Sequence, residues 1–126
     1  MTALCLVAAG LAVTLPLHAF TLAWTHSIEK IRWEEDYRIV GNTLVLTEAR
    51  IRGSGAGMDP PDGAVLKDGV WHYTPPLPPL PRLNLARSPF TADYTLCWNG
   101  SCHPMAELLG PPDDMVPVDV FPCPSP

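Results

Sequence analysis

The sequence predicts a small all-β domain. The expected architecture is an antiparallel sandwich or partly open barrel of about seven short strands, followed by a disordered Pro-rich C-terminal tail. Three observations predict it. Phe20, Leu22 and Trp24 recur at every second position, with Thr21, Ala23 and Thr25 between them, which is the period of a strand with one buried face. The chain carries 16 prolines in 126 residues, a density that disfavours long helices. Asn99-Gly100 is a strong short hairpin signal between two apolar runs.

The elements follow in order. Residues 3–17 are apolar apart from Thr14, and two readings stand. One is a secretory signal peptide over residues 1–19, processed near Ala19, although no positive charge precedes Lys30. The other is a β-hairpin of Leu4–Val7 and Leu11–Leu15 turning at Ala9-Gly10. A membrane span is disfavoured, because the apolar run is shorter than the roughly 20 residues a bilayer needs. The domain proper is expected over 20–110. Trp33–Val40 alternates, with Trp33, Glu35, Tyr37 and Ile39 on one side. Gly41-Asn42 turns the chain, and Thr43–Ile51 returns with Val45, Thr47, Ala49 and Ile51 facing one way. Val65–Leu66 and Val70–Tyr73 form a second hairpin, and Pro75–Pro81 a polyproline crossing. Leu83–Ala86, Thr91–Trp98 and Ser101–Leu108 are expected as strands. Residues 111–126 lack periodicity and read as a disordered tail rich in Pro and Asp.

The net charge is -5. The eight Lys and Arg are scattered, so no basic stripe supports nucleic-acid binding. In a two-residue hairpin at Asn99-Gly100, Cys97 and Cys102 face each other as a non-hydrogen-bonded pair. Such Cα atoms lie about 4.5 Å apart, close enough for a disulfide, and a bridge implies an oxidising compartment. The alternative is a redox or metal pair with His103, though the spacing is not that of a zinc site. With a cleaved signal Cys123 is a free tail thiol or an intermolecular one; with Cys5 retained, a Cys5–Cys123 bridge becomes available.

His26 falls on the apolar face of the first strand. As neighbours on a strand, His26 and Ser27 diverge and cannot form an adjacent dyad; a satisfied core histidine is the simpler reading. Six ionisable residues follow between Glu29 and Asp36. They read as a solvated hairpin end, or, with Trp33 as an anchor, as a contact surface. Gly53–Gly57 lacks the spacing of a phosphate loop and reads as a tight crossing, or as a backbone nest helped by Arg50 or Arg52. The spacing of His26, His72 and His103 does not support a metal site, and no cofactor is expected.

The segments F-T-L-A-W-T-H-S-I-E-K from Phe20, W-E-E-D-Y-R-I from Trp33, G-S-G-A-G-M from Gly53 and D-Y-T-L-C-W from Asp93 resemble the bacterial domain-of-unknown-function 1850 family. The resemblance covers roughly residues 20–109. Its matching positions are His26, Ser27, Glu29, Lys30, Trp33, Glu34, Gly55, Gly57 and Met58, the candidate binding set. The resemblance implies a small periplasmic or envelope protein that accompanies tripartite ATP-independent periplasmic (TRAP) transporters of the TAXI type, which carry organic acids. It supplies no catalytic residues. The expectation is thus a non-enzymatic accessory module that binds a transporter component or a small organic anion. The rival expectations are a hydrolase using His26 with Glu29 or Glu34, and a purely structural envelope protein.

Overall fold

In the computed structural model, residues 2–25, 31–52, 62–112 and 116–125 are described. Among them eleven strands and one short helix form two antiparallel sheets. The strands are β1 (Thr2–Ala8), β2 (Leu11–Leu15), β3 (Ala19–Thr25), β4 (Arg32–Val40), β5 (Thr43–Arg52), β6 (Val65–Lys67), β7 (Val70–Tyr73), β8 (Leu83–Leu85), β9 (Thr95–Trp98), β10 (Ser101–Pro104) and β11 (Val118–Pro124); α1 is Met105–Leu109. The smaller sheet has the order β2-β1-β11-β8, the larger β10-β9-β3-β4-β5-β7-β6. The fold is the expected all-β sandwich, not a closed barrel.

The core lies between the sheets. Leu4, Leu6, Leu15, Leu85, Val118 and Val120 of the smaller sheet meet Phe20, Leu22, Tyr37, Leu44, Leu46 and Leu96 of the larger, with Met105 of α1 inserted. Leu4, Leu6, Leu22, Leu44, Leu96, Met105, Val118 and Val120 are fully buried; side chains of this size contribute about 1.5–3 kcal/mol each on burial.

The N-terminal residues adopt the hairpin of the two expectations. Leu4 pairs with Leu15 and Ala8 with Leu11, and the turn uses positive φ at Ala9 and Gly10, as a two-residue hairpin demands. Processing near Ala19 would remove β1 and β2, and with them Leu4, Leu6 and Leu15 from the core. The expected disordered tail is corrected over part of its length. Val118–Pro124 is β11, lying between β1 and β8, with Val118 and Val120 alternating into the core. Cys5 and Cys123 form a disulfide across β1 and β11 with Cα atoms 5.9 Å apart. Ends this distant in sequence restrict the unfolded chain strongly when bridged.

Three further differences have local causes. The segment expected as one strand from Ser101 to Leu108 stops at Pro104, where the chain turns into α1 and buries Met105. The strand expected from Thr91 begins only at Thr95. The residues before it are tied instead by buried Arg87, whose Nε and Nη2 donate to Asp93 at 3.0 and 2.7 Å, with Nη2 also reaching the Gly110 carbonyl at 2.9 Å. In β5 the four residues expected to face one way, Val45, Thr47, Ala49 and Ile51, split: Ala49 and Ile51 are buried, but beyond the bulge Leu44 and Leu46 take the core side in place of Val45 and Thr47. The pairing jumps from Asp36–Glu48 to Tyr37–Leu46, a bulge at Thr47. One extra residue reverses the facing of everything beyond it.

Candidate functional site

The middle of the larger sheet carries a linked set of charged side chains. Strand β4 contains three consecutive acids, Glu34, Glu35 and Asp36. Side chains alternate along a strand, so Glu34 and Asp36 point to the outer face while Glu35 joins Trp33 and Tyr37 on the inner one.

On the outer face every carboxylate is matched. Glu34, nearly buried, accepts from Arg32 Nε at 3.1 Å, Arg50 Nε at 3.3 Å and Arg52 Nε at 3.2 Å. Asp36 takes a bidentate pair from Arg50, Nη1 and Nη2 each at 2.7 Å, and a third bond from the Thr21 hydroxyl at 2.7 Å. Glu48 accepts from Arg50 Nη1 at 3.2 Å and lies 2.6 Å from His72 Nδ1. The register explains this ladder. Thr21 pairs with Asp36, Glu34 with Arg50, and Arg50 with His72, so donors and acceptors stand side by side across four strands. At Glu34 burial opposes ionisation, but the bonds from Arg32 and Arg50 and the charge of Arg52 outweigh it and hold the carboxyl below its ordinary range. The Arg50 bonds do the same at Asp36, and the His72 bond at Glu48. Arg50 is itself held more firmly protonated, chiefly by Asp36.

The inner face differs. Glu35 stands in a row of Leu22, Glu35, Ala49 and Tyr73 across β3, β4, β5 and β7. Its Oε1 accepts a bond from the Tyr37 hydroxyl at 2.9 Å. Desolvation pushes its carboxyl above the ordinary range, and the Tyr37 bond offsets only part of this. Tyr73 and Tyr94 are also raised, first by burial and then by charges that include Glu35, which places both within its field. The next row brings Trp24 opposite Trp33, stacked with centroids 6.2 Å apart; Tyr94 meets Trp24 at 5.9 Å in a tilted arrangement. Trp24, Trp33, Tyr73 and Tyr94 are half-buried.

Of the expected binding set, Trp33 and Glu34 are thus on opposite faces and cannot act on one ligand together through their side chains. His26, Ser27, Glu29, Lys30, Gly55, Gly57 and Met58 lie outside the described residues. The described residues flanking them, Thr25, Arg32 and Arg52, stand at one end of β3, β4 and β5, where Thr25 pairs with Arg32 and Trp33 with Ile51. The expected Cys97–Cys102 disulfide is present, in directly opposed register. His72 and His103 sit on β7 and β10, near opposite edges of the seven-stranded sheet. That separation is about 24 Å at the usual strand spacing, so the two cannot share a metal. Among the described residues no group of three or more His, Cys, Asp or Glu is arranged to hold one. A cleft of about 680 Å³ opens on the outer face beside the disulfide hairpin, lined by Thr21, Asp36, Arg38, Asn99 and Cys102.

Sequence reasoning did not single out Glu35 or Arg50 as a pair of opposites. The signal for Glu35 was available: it is the one acid in the set Trp33, Glu35, Tyr37 and Ile39.

No curated protein and no solved structure matches the chain. A family profile, described as Domain of unknown function (DUF1850), matches residues 20–105. That span includes β3, β4, β5 and the disulfide hairpin, and the chain belongs to this domain-of-unknown-function family.

Proposed function

We propose that the chain is an exported, non-enzymatic binding module that serves a TRAP-type organic-acid transporter, with its contact surface on the outer face of the sheet at the end marked by Arg32, Glu34 and Arg52. The observation that carries this reading is the convergence of three guanidinium groups on the single carboxylate of Glu34. Arg32 and Arg52 share that carboxylate, and their side chains are 41% and 52% exposed. A guanidinium has five donors, so both retain capacity for the carboxylate of an organic acid or of a partner protein. The two disulfides fit an oxidising compartment, and the transporter association rests on the family resemblance. Residues 2–19 remain part of the folded domain in this reading.

The hydrolase alternative is weaker at Glu34. A carboxyl held ionised by three arginines has no proton to donate and is a poor base. Among the described residues no helix is long and apolar enough to cross a membrane. The test is a titration of the oxidised protein with succinate, in the wild type and in an Arg32→Ala/Arg52→Ala variant, alongside unreduced mass spectrometry of the native protein from a periplasmic fraction. Saturable binding that weakens about tenfold in the variant, the loss of roughly one charge-assisted pair, and a mass lower by four hydrogens support the reading. A reduced cytoplasmic product, or a variant that binds like the wild type, contradicts it.

A further inference from the structure

We propose that the Cys97–Cys102 disulfide is a thiol-exchange site, opened by a small carboxylate-bearing thiol that enters the cleft beside it. The site does not depend on the transporter reading. It lies by Arg38, at the other end of β4 from Arg32.

The argument starts from where the bridge stands. Cys97 has Cys102 opposite it on one side and Thr21 on the other, and Thr21 is opposite Asp36. Residues directly opposite share a face, so both cysteines lie on the outer face, and both line the cleft of about 680 Å³. Cys102 is exposed, on the edge strand of its sheet. The charge in the cleft is set by what remains unmatched. Asp36 is neutralised by Arg50. Arg38 is exposed on the cleft wall and has no ion-pair or hydrogen-bond partner among the described residues. A free guanidinium attracts a carboxylate and a thiolate alike. The cleft extends over β3 and β4, so a thiolate held in it meets the Cys97 sulfur from the side away from Cys102. That is the direction from which a sulfur–sulfur bond is displaced.

The exchange balances in two steps. The entering thiolate bonds to Cys97 Sγ, the Cys97–Cys102 bond breaks, and Cys102 leaves as a thiolate that takes a proton from water. A second thiolate then attacks the bound thiol's sulfur, releasing a small disulfide and the Cys97 thiolate. Two small thiols are oxidised, and the protein bridge gains their two electrons. The fold survives this opening. The bridge joins residues 5 positions apart, against 118 for Cys5–Cys123, a difference of about a hundredfold in its leverage on the folding equilibrium. The Asn99-Gly100 turn and the β9–β10 pairing still hold the hairpin.

The test exposes the oxidised full chain to 3-mercaptopropionate or to uncharged 2-mercaptoethanol. Samples are quenched in acid, alkylated, and mapped by peptide mass spectrometry without further reduction. Cys97 and Cys102 should become alkylated while Cys5–Cys123 stays closed and the circular dichroism stays native. The rate ratio of the carboxylate thiol to the neutral one at Cys97–Cys102 should fall about threefold in Arg38→Gln, the loss of one screened charge. It should fall similarly in the wild type at about 1 M salt. The proposal is overturned if Cys5–Cys123 opens first or at the same rate, if the domain unfolds as Cys97–Cys102 opens, or if neither Arg38→Gln nor salt changes the ratio.

Discussion

The two faces of β4 put the same functional group into opposite conditions within three residues. Glu34 and Asp36 are enclosed by guanidinium and hydroxyl donors and held ionised; Glu35, between them, faces aromatic rings and is pushed toward its neutral form. The difference owes nothing to local sequence. It follows from strand alternation and from what the neighbouring strands present, Arg50 on one face and Leu22 and Ala49 on the other. On the outer face Glu34, Asp36 and Glu48 each have a cationic partner. The inner face holds an open valence, and unmatched charge of this kind concentrates at functional sites.

Substitutions that break the network should separate the faces most sharply. Arg50→Met removes both bonds to Asp36 and one each to Glu34 and Glu48. It leaves partly buried acids exposed to one another and is expected to cost about 3 kcal/mol in urea denaturation. Glu34→Gln keeps the shape but loses the charge that gathers three arginines, and should cost about 1–2 kcal/mol in the same assay. Glu35→Gln should act with the opposite sign, raising stability near neutral pH by under about 1 kcal/mol, because it deletes a charge the fold does not compensate. His72→Gln should be smallest, within about 0.5 kcal/mol, since His72 and Glu48 are 33% and 39% exposed.

Acid should sharpen the same contrast. Glu34, Asp36 and Glu48 lie below their ordinary values in the fold, so the unfolded chain takes up protons first. Their contribution is complete above the ordinary carboxyl range and is lost as pH falls through their folded values. Glu35 is raised, so its contribution is adverse and grows as pH rises through its range. Urea midpoints measured across acidic pH should therefore fall with acid in the wild type. The advantage of Glu35→Gln should shrink over the same range.

Much of the fold was legible because its signals are local. The alternation of Phe20, Leu22 and Trp24, the turn at Gly41-Asn42 and the Asn99-Gly100 hairpin with its cysteines each specify their element within a few residues. The parts that were not legible depend on distant partners. Val118 and Val120 carry the alternation of β11, but Pro122 and Pro124 obscure it, and the strand is completed by β1 from the other end of the chain. The bulge at Thr47 depends on how β5 meets β4, so β5 alone did not show that Val45 and Thr47 part from the side taken by Ala49 and Ile51. Trp33 and Glu34 were legible as notable residues. Their separation onto two faces follows from the same alternation, and two of the three arginines that gather around Glu34 come from β5, sixteen and eighteen positions away.

The most direct measurement is a carbon-detected NMR titration of the Glu34, Glu35 and Asp36 side-chain carboxyls in the oxidised protein. Glu35 should titrate above the ordinary glutamate value, with Glu34 and Asp36 below the ordinary values for their residue types. Coincident midpoints, or a Glu35 midpoint shifted downward, would contradict the division of this strand into a neutralised outer face and an uncompensated inner one.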